Sequence, residues 1–402
     1  MDSKVEFIED WQANDLSFSE LCRKHGISRQ TGYTLVDRFR VEGWDGLQER
    51  SRAPHHSPAA MEEGTREELI ELRMQHPGWG PKKLKAFLEH TRKRSSEAAP
   101  VPAKSTIGDL LEREGLIHHR RRKPGKPSGG QSELREAVES NDVWSADYKG
   151  WFRTGDGRRC EPLTVTDNSS RMLLRLVATA RIDGAQVKAV MESAFKEYGM
   201  PNAIRTDNGS PFVSAAPGGL TELSVWWIRL GITHERIQPG KPQQNGRHER
   251  MHLSMVRECL DYRIGNDCRA QGRIFQRYRE EFNQIRPHEA LGMRTPASVW
   301  TMSPRRYPPR LPEVEYGGGY VLRRINGKGC FLWQGRPVSL TKVLSGEKIG
   351  ILQVDDDVHE VYFGPVRLGM LDDPTRSFVR TEMAEKWARK AAPGEDRQTL
   401  PE

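Results

Sequence analysis

Cysteine is scarce in this chain. Five of its 402 residues are cysteine, and no two of the five stand in Cys-x-x-Cys spacing. Zinc ribbons and zinc fingers need such close pairs, and small disulfide-bonded domains need an even and dense set of cysteines. The sequence therefore argues against both classes and favours a reducing compartment. The scattered cysteines are Cys22, Cys160, Cys259, Cys268 and Cys330.

Long apolar runs are also absent. A membrane-spanning helix needs roughly 18 or more apolar residues in succession, and no such run occurs in this sequence. The run SVWWIRLGI, at 224–232, is interrupted by Arg229, and the first ten residues are acidic with no apolar leader. We therefore expect a cytoplasmic protein with no membrane segment.

Positive charge is in excess. The formal net charge is +8 and the isoelectric point is about 9.2. Lys and Arg outnumber Asp and Glu chiefly within residues 141–312, whereas the two kinds nearly balance in the rest of the chain. An excess confined to one part of the chain predicts a polyanionic partner for that part.

Residues 15–42 match a helix, a tight turn and a second helix. Ser17 and Glu20 have capping-box spacing, Gly26 can end the first helix, and Ser28 can cap the second. In a helix-turn-helix domain, the first residues of the second helix meet the base edges of DNA. A plain helical hairpin is the alternative. The residues expected at the base edges are Arg29, Gln30 and Thr31.

A second helical unit and a basic segment follow. Two helical patterns, at 67–90 and 104–117, predict a second helix-turn-helix or a winged-helix domain. Residues 118–131 are basic, rich in Gly and Pro, and without periodicity. They have the composition of a linker, whose charge either lies along a phosphate backbone or stays solvated.

From residue 141 the pattern changes to strands that alternate with helices. Three strand-like runs come first, with the turn TDNSSR (166–171) between the second and the third. A helix capped by Asp183 follows, and then strand, helix, strand and helix. The order β-β-β-α-β-α-β-α predicts an antiparallel meander extended by strands that alternate with helices.

Three carboxylates from distant parts of this region can meet. Asp147 lies inside the first predicted strand, where a charge is costly unless it is paired or binds a metal. Asp207 ends the fourth strand, which in this topology lies beside the first, and Glu249 lies in the first turns of the last helix. The segment RTDNGSPF around Asp207 is also a turn signal, so a simple turn is the alternative.

An all-oxygen site of a few acids suits Mg²⁺, for which Mn²⁺ is a possible substitute. Two such ions about 4 Å apart would support an in-line phosphoryl transfer. The carboxylates therefore predict a two-metal site at the ends of the first and fourth strands.

Several segments of the chain resemble the integrase core of DDE transposases and retroviral integrases, which has a ribonuclease-H-like fold. The helix-turn-helix patterns before this region and NQIRPHEALGMRTPASVW (283–300) after it resemble bacterial insertion-sequence transposases of the same group. The similarity is strongest over 141–300. The segments that carry it are Trp144–Asp147, TVTDNSSR (164–171), RTDNGSPF (205–212) and HERIQPGKPQQNGRHER (234–250).

The resemblance implies a transposase that binds double-stranded DNA at the ends of a mobile element and joins these ends to target DNA. It implies a homo-oligomer on DNA, located in the bacterial cytoplasm at the nucleoid. Asp147, Asp207 and Glu249 would be the catalytic metal ligands, and Asn208 and Gly209 would shape the ligand turn. The residues implied to lie near DNA are Lys241, Gln244, Asn245 and Arg250.

Two features differ from the family pattern. The stretch between Asp207 and Glu249 is a few residues longer than usual, with SAAPGGLTELS (214–224) as the insertion, and the His/Cys zinc unit of retroviral integrases is absent. His248 and His252 are expected to face DNA or the surface, and Asp167 is expected to be a turn residue. A DNA-binding regulator, a ribonuclease-H-like nuclease without strand transfer, and a structural assembly protein remain as alternatives.

The sequence predicts a multidomain chain with helical amino-terminal units, a ribonuclease-H-like α/β core and a small carboxy-terminal β-barrel. The barrel is expected because residues after 312 form short strand patterns broken by Asn-Gly, Gln-Gly and Asp turns. Residues 301–312 are expected to be a linker. The predicted divisions are a helix-turn-helix domain at 1–52, a second such or winged-helix domain at 58–122, a basic linker at 123–140, the catalytic core at 141–300, the barrel at 313–372 and a charged tail at 373–402.

Overall fold

A computed structural model describes residues 2–49, 61–93, 100–117, 134–238, 241–261, 263–372 and 377–381. The chain forms two compact units, Met1–Met61 and Glu62–Glu402. No helix among the described residues has both the length and the apolar composition to cross a membrane. Residues 123–133 of the predicted basic linker, and residues 373–376 and 382–402 of the predicted tail, lie outside the described residues.

The first unit contains the predicted helix-turn-helix. The Glu20 carboxylate accepts a hydrogen bond from the Ser17 amide at 3.1 Å, and the Ser28 hydroxyl accepts one from the Thr31 amide at 3.1 Å. Gly26, at φ 65°, forms the turn between the two helices. A further helix precedes them that was not predicted, and its buried Phe7 belongs to the core of this unit. The helices are α1 (Asp2–Ala13), α2 (Phe18–Lys24) and α3 (Arg29–Glu42).

The second helical segment packs within the same compact unit as the core that follows. Its own helices bury Leu69, Leu84 and Ile107 completely. It contacts the core through ion pairs, one of which joins His76 Nδ1 to Glu281 Oε1 at 2.7 Å. The helices are α4 (Glu63–Gln75), α5 (Pro81–Arg92) and α6 (Lys104–Arg113).

The core is a mixed sheet. Strands β1 and β3 pair antiparallel, as do β3 and β4, whereas β5 pairs parallel to both β1 and β6. This confirms the predicted meander, and it confirms that the fourth predicted strand, which is β5, lies beside the first, β1. The strands are β1 (Val143–Tyr148), β2 (Phe152–Arg153), β3 (Arg159–Asp167), β4 (Leu173–Thr179), β5 (Ala203–Thr206) and β6 (Thr233–Arg236).

Helices pack against this sheet in two hydrophobic clusters. One cluster contains Trp144 with Phe195, Trp226 and Trp227. The adjacent Trp226 and Trp227 are both buried in it. The other contains Leu173 with residues of the last long helices. The helices are α7 (Gly184–Tyr198), α8 (Glu222–Arg229), α9 (Gly246–Met255), α10 (Cys268–Gln284) and α11 (Pro296–Val299).

Helix α10 was not predicted, although the sequence carries its signal. Asp267 caps it by accepting a hydrogen bond from the Ala270 amide at 2.6 Å. Phe275, Tyr278 and Phe282 recur at helical spacing and are buried. This helix is therefore an amphipathic element whose few apolar residues are spaced among many charged ones.

The segment 301–312, expected to be a linker, packs on the core. The Arg305 guanidinium donates to the carbonyl oxygens of Leu230 and Gly231, both at 2.9 Å, and the Arg305 carbonyl accepts from the Met200 amide at 2.7 Å. Its Tyr307 packs against the first hydrophobic cluster. Arg305, one of the residues that suggested a linker, instead holds this irregular segment in place through hydrogen bonds.

The carboxy-terminal residues are rich in strands. Five of them form an antiparallel sheet in the order β7-β10-β11-β12-β13, and β8 pairs with β9 as a separate hairpin. Among the described pairings none joins β7 to β13, so the closed barrel stays a prediction. The sheet also extends past residue 372, where the predicted barrel ended. The strands are β7 (Tyr320–Arg324), β8 (Cys330–Trp333), β9 (Arg336–Ser339), β10 (Lys348–Asp355), β11 (Val358–Phe363), β12 (Val366–Asp372) and β13 (Ser377–Arg380).

Candidate active site

The parallel pairing of β1 with β5 brings two of the three acids to one edge of the sheet. Ser145 lies opposite Arg205 in the register of the two strands. Asp147 and Asp207 each follow two residues later, so they lie at the same level, at the carboxyl ends of neighbouring strands. Because side chains alternate along a strand, Asp147 is on the same face of β1 as Ser145.

The segment that follows β5 is both a turn and a support for a carboxylate. The Gly209 amide donates to Asp207 Oδ1 at 3.0 Å, and Asn208 Nδ2 donates to the Ile237 carbonyl oxygen at 2.7 Å. A β-carbon at Gly209 would lie 3.0 Å from Asp207 Oδ2, so a side chain there would crowd the carboxylate. The Asn-Gly pair therefore fixes the position of Asp207 at the end of the strand.

Glu249 reaches this edge from α9. The buried face of α9 consists of His248, Met251, His252 and Met255, at helical spacing, which leaves Glu249 exposed beside it. The negative charge of Glu249 contributes to the raised pKa of Asp147. The three predicted acids are thus brought to one region by two strands and one helix.

The electrostatics of Asp147 show how close the three carboxylates are. Its pKa is raised to about 7, first by burial, then by the charge of Asp207, and to a smaller extent by Glu249. The Tyr148 amide and Lys149 oppose this shift. Like charges that converge in this way favour a divalent cation between them, and carboxylate oxygens are the donors that Mg²⁺ prefers. The donor set therefore fits the predicted metal.

The expectation that His248 and His252 face DNA or the surface is wrong. His248 is 1% exposed and His252 is 5% exposed. Both Nε2 atoms lie against the Thr164 hydroxyl, at 2.6 and 2.7 Å, and His248 Nδ1 lies 2.8 Å from the Thr166 hydroxyl. Burial lowers the pKa of His252 to about 3 and that of His248 well below its ordinary value. They are neutral, hydrogen-bonded parts of the core.

These histidines also lie near Asp147. One atom of each of the three side chains falls within 4.8 Å of the others. The Thr164 hydroxyl donates its only proton to the Asp147 carbonyl oxygen at 2.9 Å, so both Nε2 atoms must donate to Thr164. The protonated Nε2 atoms cannot bind a metal, and His248 Nδ1 already lies against the Thr166 hydroxyl. The histidines therefore support the Asp147 backbone through Thr164, a role that the sequence alone did not reveal.

The residues implied to lie near DNA differ in their placement. Asn245 is buried, with Nδ2 at 3.5 Å from Asp147 Oδ2, and the Gln244 side chain accepts a hydrogen bond from the Gln238 amide at 2.7 Å. Lys241 and Arg250 are exposed. In the first unit, the residues expected at base edges are all exposed at the start of α3: Arg29, Gln30 and Thr31.

Asp167 is a turn residue, as expected, but a buried one. Its carboxylate accepts hydrogen bonds from the Asn141 amide at 2.8 Å and from the Ser170 amide at 2.8 Å. It lies opposite Trp144 in the antiparallel register, at the other end of β1 from Asp147. Asp167 therefore holds the β3–β4 turn and is separate from the three acids.

Models of the integrase core domain match residues 137–242 and 230–296, and models of a helix-turn-helix domain and a homeodomain-like domain match residues 3–55 and 31–111. Among solved structures, the chain is similar to one in the cryo-EM structure of the simian T-cell lymphotropic virus intasome in complex with PP2A regulatory subunit B56 gamma. The identity is 15%, the TM-score is 0.37, and the match covers 73% of this chain and 91% of that one.

Two curated relatives come from insertion elements. The chain is 30% identical over 282 residues to the insertion element IS476 uncharacterized 39.2 kDa protein of Xanthomonas euvesicatoria, covering 70% of this chain and 72% of that protein. It is 29% identical over 229 residues to the insertion element IS407 uncharacterized 31.7 kDa protein of Burkholderia multivorans, covering 57% and 78%. The chain belongs to the insertion-sequence transposases of the DDE and retroviral-integrase-core superfamily.

Proposed function

We propose that this protein binds the ends of a mobile DNA element and catalyses metal-dependent cleavage of these ends and their transfer into target DNA. The observation that carries the proposal is the register of β1 and β5, which sets Asp147 beside Asp207, with Glu249 close enough to affect the pKa of Asp147. Membership of the transposase family supports the choice of substrate.

In this proposal Asp147, Asp207 and Glu249 hold two Mg²⁺ ions, for which Mn²⁺ can substitute. Bound Mg²⁺ would polarise the scissile phosphate and lower the pKa of an attacking water. The chain's own contribution is to hold the carboxylates at one edge: Gly209 fixes Asp207, and Thr164 supports the backbone at Asp147. Cleavage leaves a 3′-hydroxyl at the element end. Its oxygen then attacks a phosphorus of the target DNA, and the bond from that phosphorus to the target's 3′ oxygen breaks, so that the target strand leaves with a 3′-hydroxyl.

The remaining parts of the chain have proposed roles in DNA binding. The exposed residues at the start of α3 read the element ends, and the second helical segment and the core bind neighbouring DNA. The protein acts in the bacterial cytoplasm, at the nucleoid where its substrate lies. Two ends must be held together, so the working form contains at least two chains, and a DNA-bound complex with one chain per pair of ends would contradict this.

A strand-transfer assay tests the proposal. The full chain is mixed with a labelled duplex that carries an element end and flanking DNA, a supercoiled target plasmid and Mg²⁺. We expect cleaved ends and joined products from the wild type, and neither from Glu249→Gln, which keeps the side-chain shape and removes its charge. Full activity of this variant would refute the proposed site. Cleavage without joining by the wild type would favour a nuclease of the same fold.

A further inference from the structure

A cleft of about 750 Å³ lies between α9, the start of α5 and the segment that follows α10. We name it the cationic cleft. Arg250 and Ser254 line it from α9, and Arg257 lines it from the π-helical turn that continues α9 (Val256–Leu260), whereas Glu249 is about a third of a turn away from Arg250. None of the three acids lines it. Its cationic lining residues are Lys83, Arg171, Arg247, Arg250, Arg257 and Arg286.

The carboxylates around the cationic cleft are already engaged. Glu258 pairs with Arg286, and Glu289 pairs with Lys82 outside the cleft. The third, Asp167, accepts the hydrogen bonds of the β3–β4 turn. Six cations therefore face three carboxylates that each have another partner, although Glu289 also attracts Lys83 and Arg250 through space, and Asp167 attracts Arg171.

Four of the cations form no ion pair with a carboxylate among the described residues. Lys83, Arg250 and Arg257 form no hydrogen bond or ion pair with a described residue, and Arg171 has a buried Nη1 atom that donates to none of them. Burial lowers the pKa of Lys83 to about 7, with contributions from Arg286 and Arg250, and lowers the pKa of Arg171 to about 10. The charges of Lys83 and Arg171 are partly removed from water, which is costly, and a ligand with several negative charges would offset that cost and would also contact the exposed Arg250 and Arg257.

The spacing of the cations indicates an extended ligand. Arg250 on α9 and Arg257 in the π-helical turn that continues it are seven residues apart, which is about 10 Å along the helix axis. That distance equals the rise of about three nucleotides in one strand of DNA. Lys83 faces them from α5, on the helical segment that precedes the core. A single small anion would contact only part of this set.

We propose that the cationic cleft binds the phosphodiester backbone of a DNA strand, on the side of α9 away from the three acids, and so joins the second helical segment to the core on DNA. The inference rests on the proposed function for the identity of the polyanion. Arg250, implied to lie near DNA by the family resemblance, receives a specific place in it. Lys83 and Arg257 belong to no motif that the sequence indicated.

The test measures the salt dependence of DNA binding by the full chain. Anisotropy of a labelled duplex without element-end sequence is recorded in EDTA over a range of KCl concentrations. The Lys83→Gln/Arg257→Gln double variant should reduce the slope of log K against log [KCl] by about two units, because each phosphate contact contributes about 0.9. The matched control is Arg273→Gln/Arg277→Gln, which removes the same charge from exposed positions of α10. Its slope should not change.

A second variant tests the proposal in case the first double variant, which alters the partly buried Lys83, fails to fold. Arg250→Gln/Arg257→Gln alters only exposed side chains and should give the same reduction. An unchanged slope in both cleft variants, or an equal reduction in the control, would overturn the proposal. So would binding of inorganic phosphate that these variants abolish while the DNA slope stays the same, because the cleft would then be a small-anion site.

The outcome is separable from that of the strand-transfer assay. DNA binding in EDTA does not depend on cleavage. If the wild type cleaves no DNA in the strand-transfer assay but the cleft variants still reduce the slope, the proposed function is refuted and DNA binding by the cleft is retained. A chain that cleaves and joins DNA with unchanged slopes would refute the cleft alone.

Discussion

The Thr164 hydroxyl donates a hydrogen bond of 2.9 Å to the backbone carbonyl oxygen of Asp147, its partner on the neighbouring strand. The same hydroxyl lies 2.6 Å from His248 Nε2 and 2.7 Å from His252 Nε2. With one proton and two lone pairs, it satisfies all three contacts. One buried threonine therefore connects the helix that carries Glu249 to the strand that carries Asp147.

We expect Thr164→Val to weaken metal use more than DNA binding. Valine keeps the β-branched shape but leaves two ring N–H groups and a carbonyl without a partner, at a cost of about 1–3 kcal/mol for each unsatisfied group. The Mg²⁺ concentration for half-maximal cleavage should rise several-fold, while binding of element ends in EDTA stays near wild type. Thr233→Val, an exposed change in the same sheet, is the control. An unchanged Mg²⁺ requirement would contradict a supporting role for Thr164.

Asp207→Asn separates a metal ligand from a simple turn. Asparagine suits such turns as well as aspartate does, so a turn role predicts a nearly neutral change. A metal role predicts loss of both cleavage and joining, with the fold and end binding kept. Circular dichroism, end binding and strand transfer are measured together, with Glu222→Gln as an exposed acid removed elsewhere in the core. Cleavage in Mg²⁺ by Asp207→Asn would exclude the proposed mechanism.

The pKa of Asp147 predicts how the metal-free protein responds to pH. Its folded pKa of about 7 exceeds its ordinary value of 3.8, so the folded state binds more protons between these values. Asp147 should therefore contribute a decrease in the free energy of unfolding as pH rises from about 4 to about 7, opposite in sign to the contribution of the buried histidines, whose pKa values are lowered. Asp147→Asn should remove this dependence, and it should stabilise the protein by roughly 2–4 kcal/mol at high pH and little at low pH.

Urea unfolding in EDTA, followed by tryptophan fluorescence, measures this effect. Asp261→Asn, at an exposed position, serves as the control and should leave the pH dependence intact. If Asp147→Asn raised the free energy of unfolding equally at low and at high pH, Asp147 would not be buried near like charges.

Arg29→Ala tests DNA reading by the first unit. Arg29 is exposed at the start of α3, so its removal should weaken binding to element ends by roughly 1–3 kcal/mol, with a smaller effect on random DNA. Arg23→Ala, at the end of α2, removes the same charge from a position without a predicted base contact. Competition binding with both DNAs gives the result, and an equal loss on the two would assign Arg29 to phosphate contact.

Much of the core could be predicted from the sequence because its signals are local. The capped helix after Asp183, the strand that carries Asp147 and the turn after Asp207 are each set by short-range patterns of apolar, capping and turn residues. Short connections then limit which strands can be neighbours, and this placed Asp147 beside Asp207. The proximity of Asp147 and Asp207 could therefore be predicted from the sequence.

Other features depended on which surfaces meet in three dimensions. The sequence around His248 and His252 shows a polar helix, and only packing against β3 decides that these side chains are buried and that Asn245 turns toward Asp147. Likewise, Lys83 and Arg257 are ordinary surface cations in the sequence, and they form a cleft only because α5 packs beside α9. Local pattern determines elements and their order, whereas the faces that helices present to one another are decided by tertiary packing, since residues far apart in the chain supply the opposing surface.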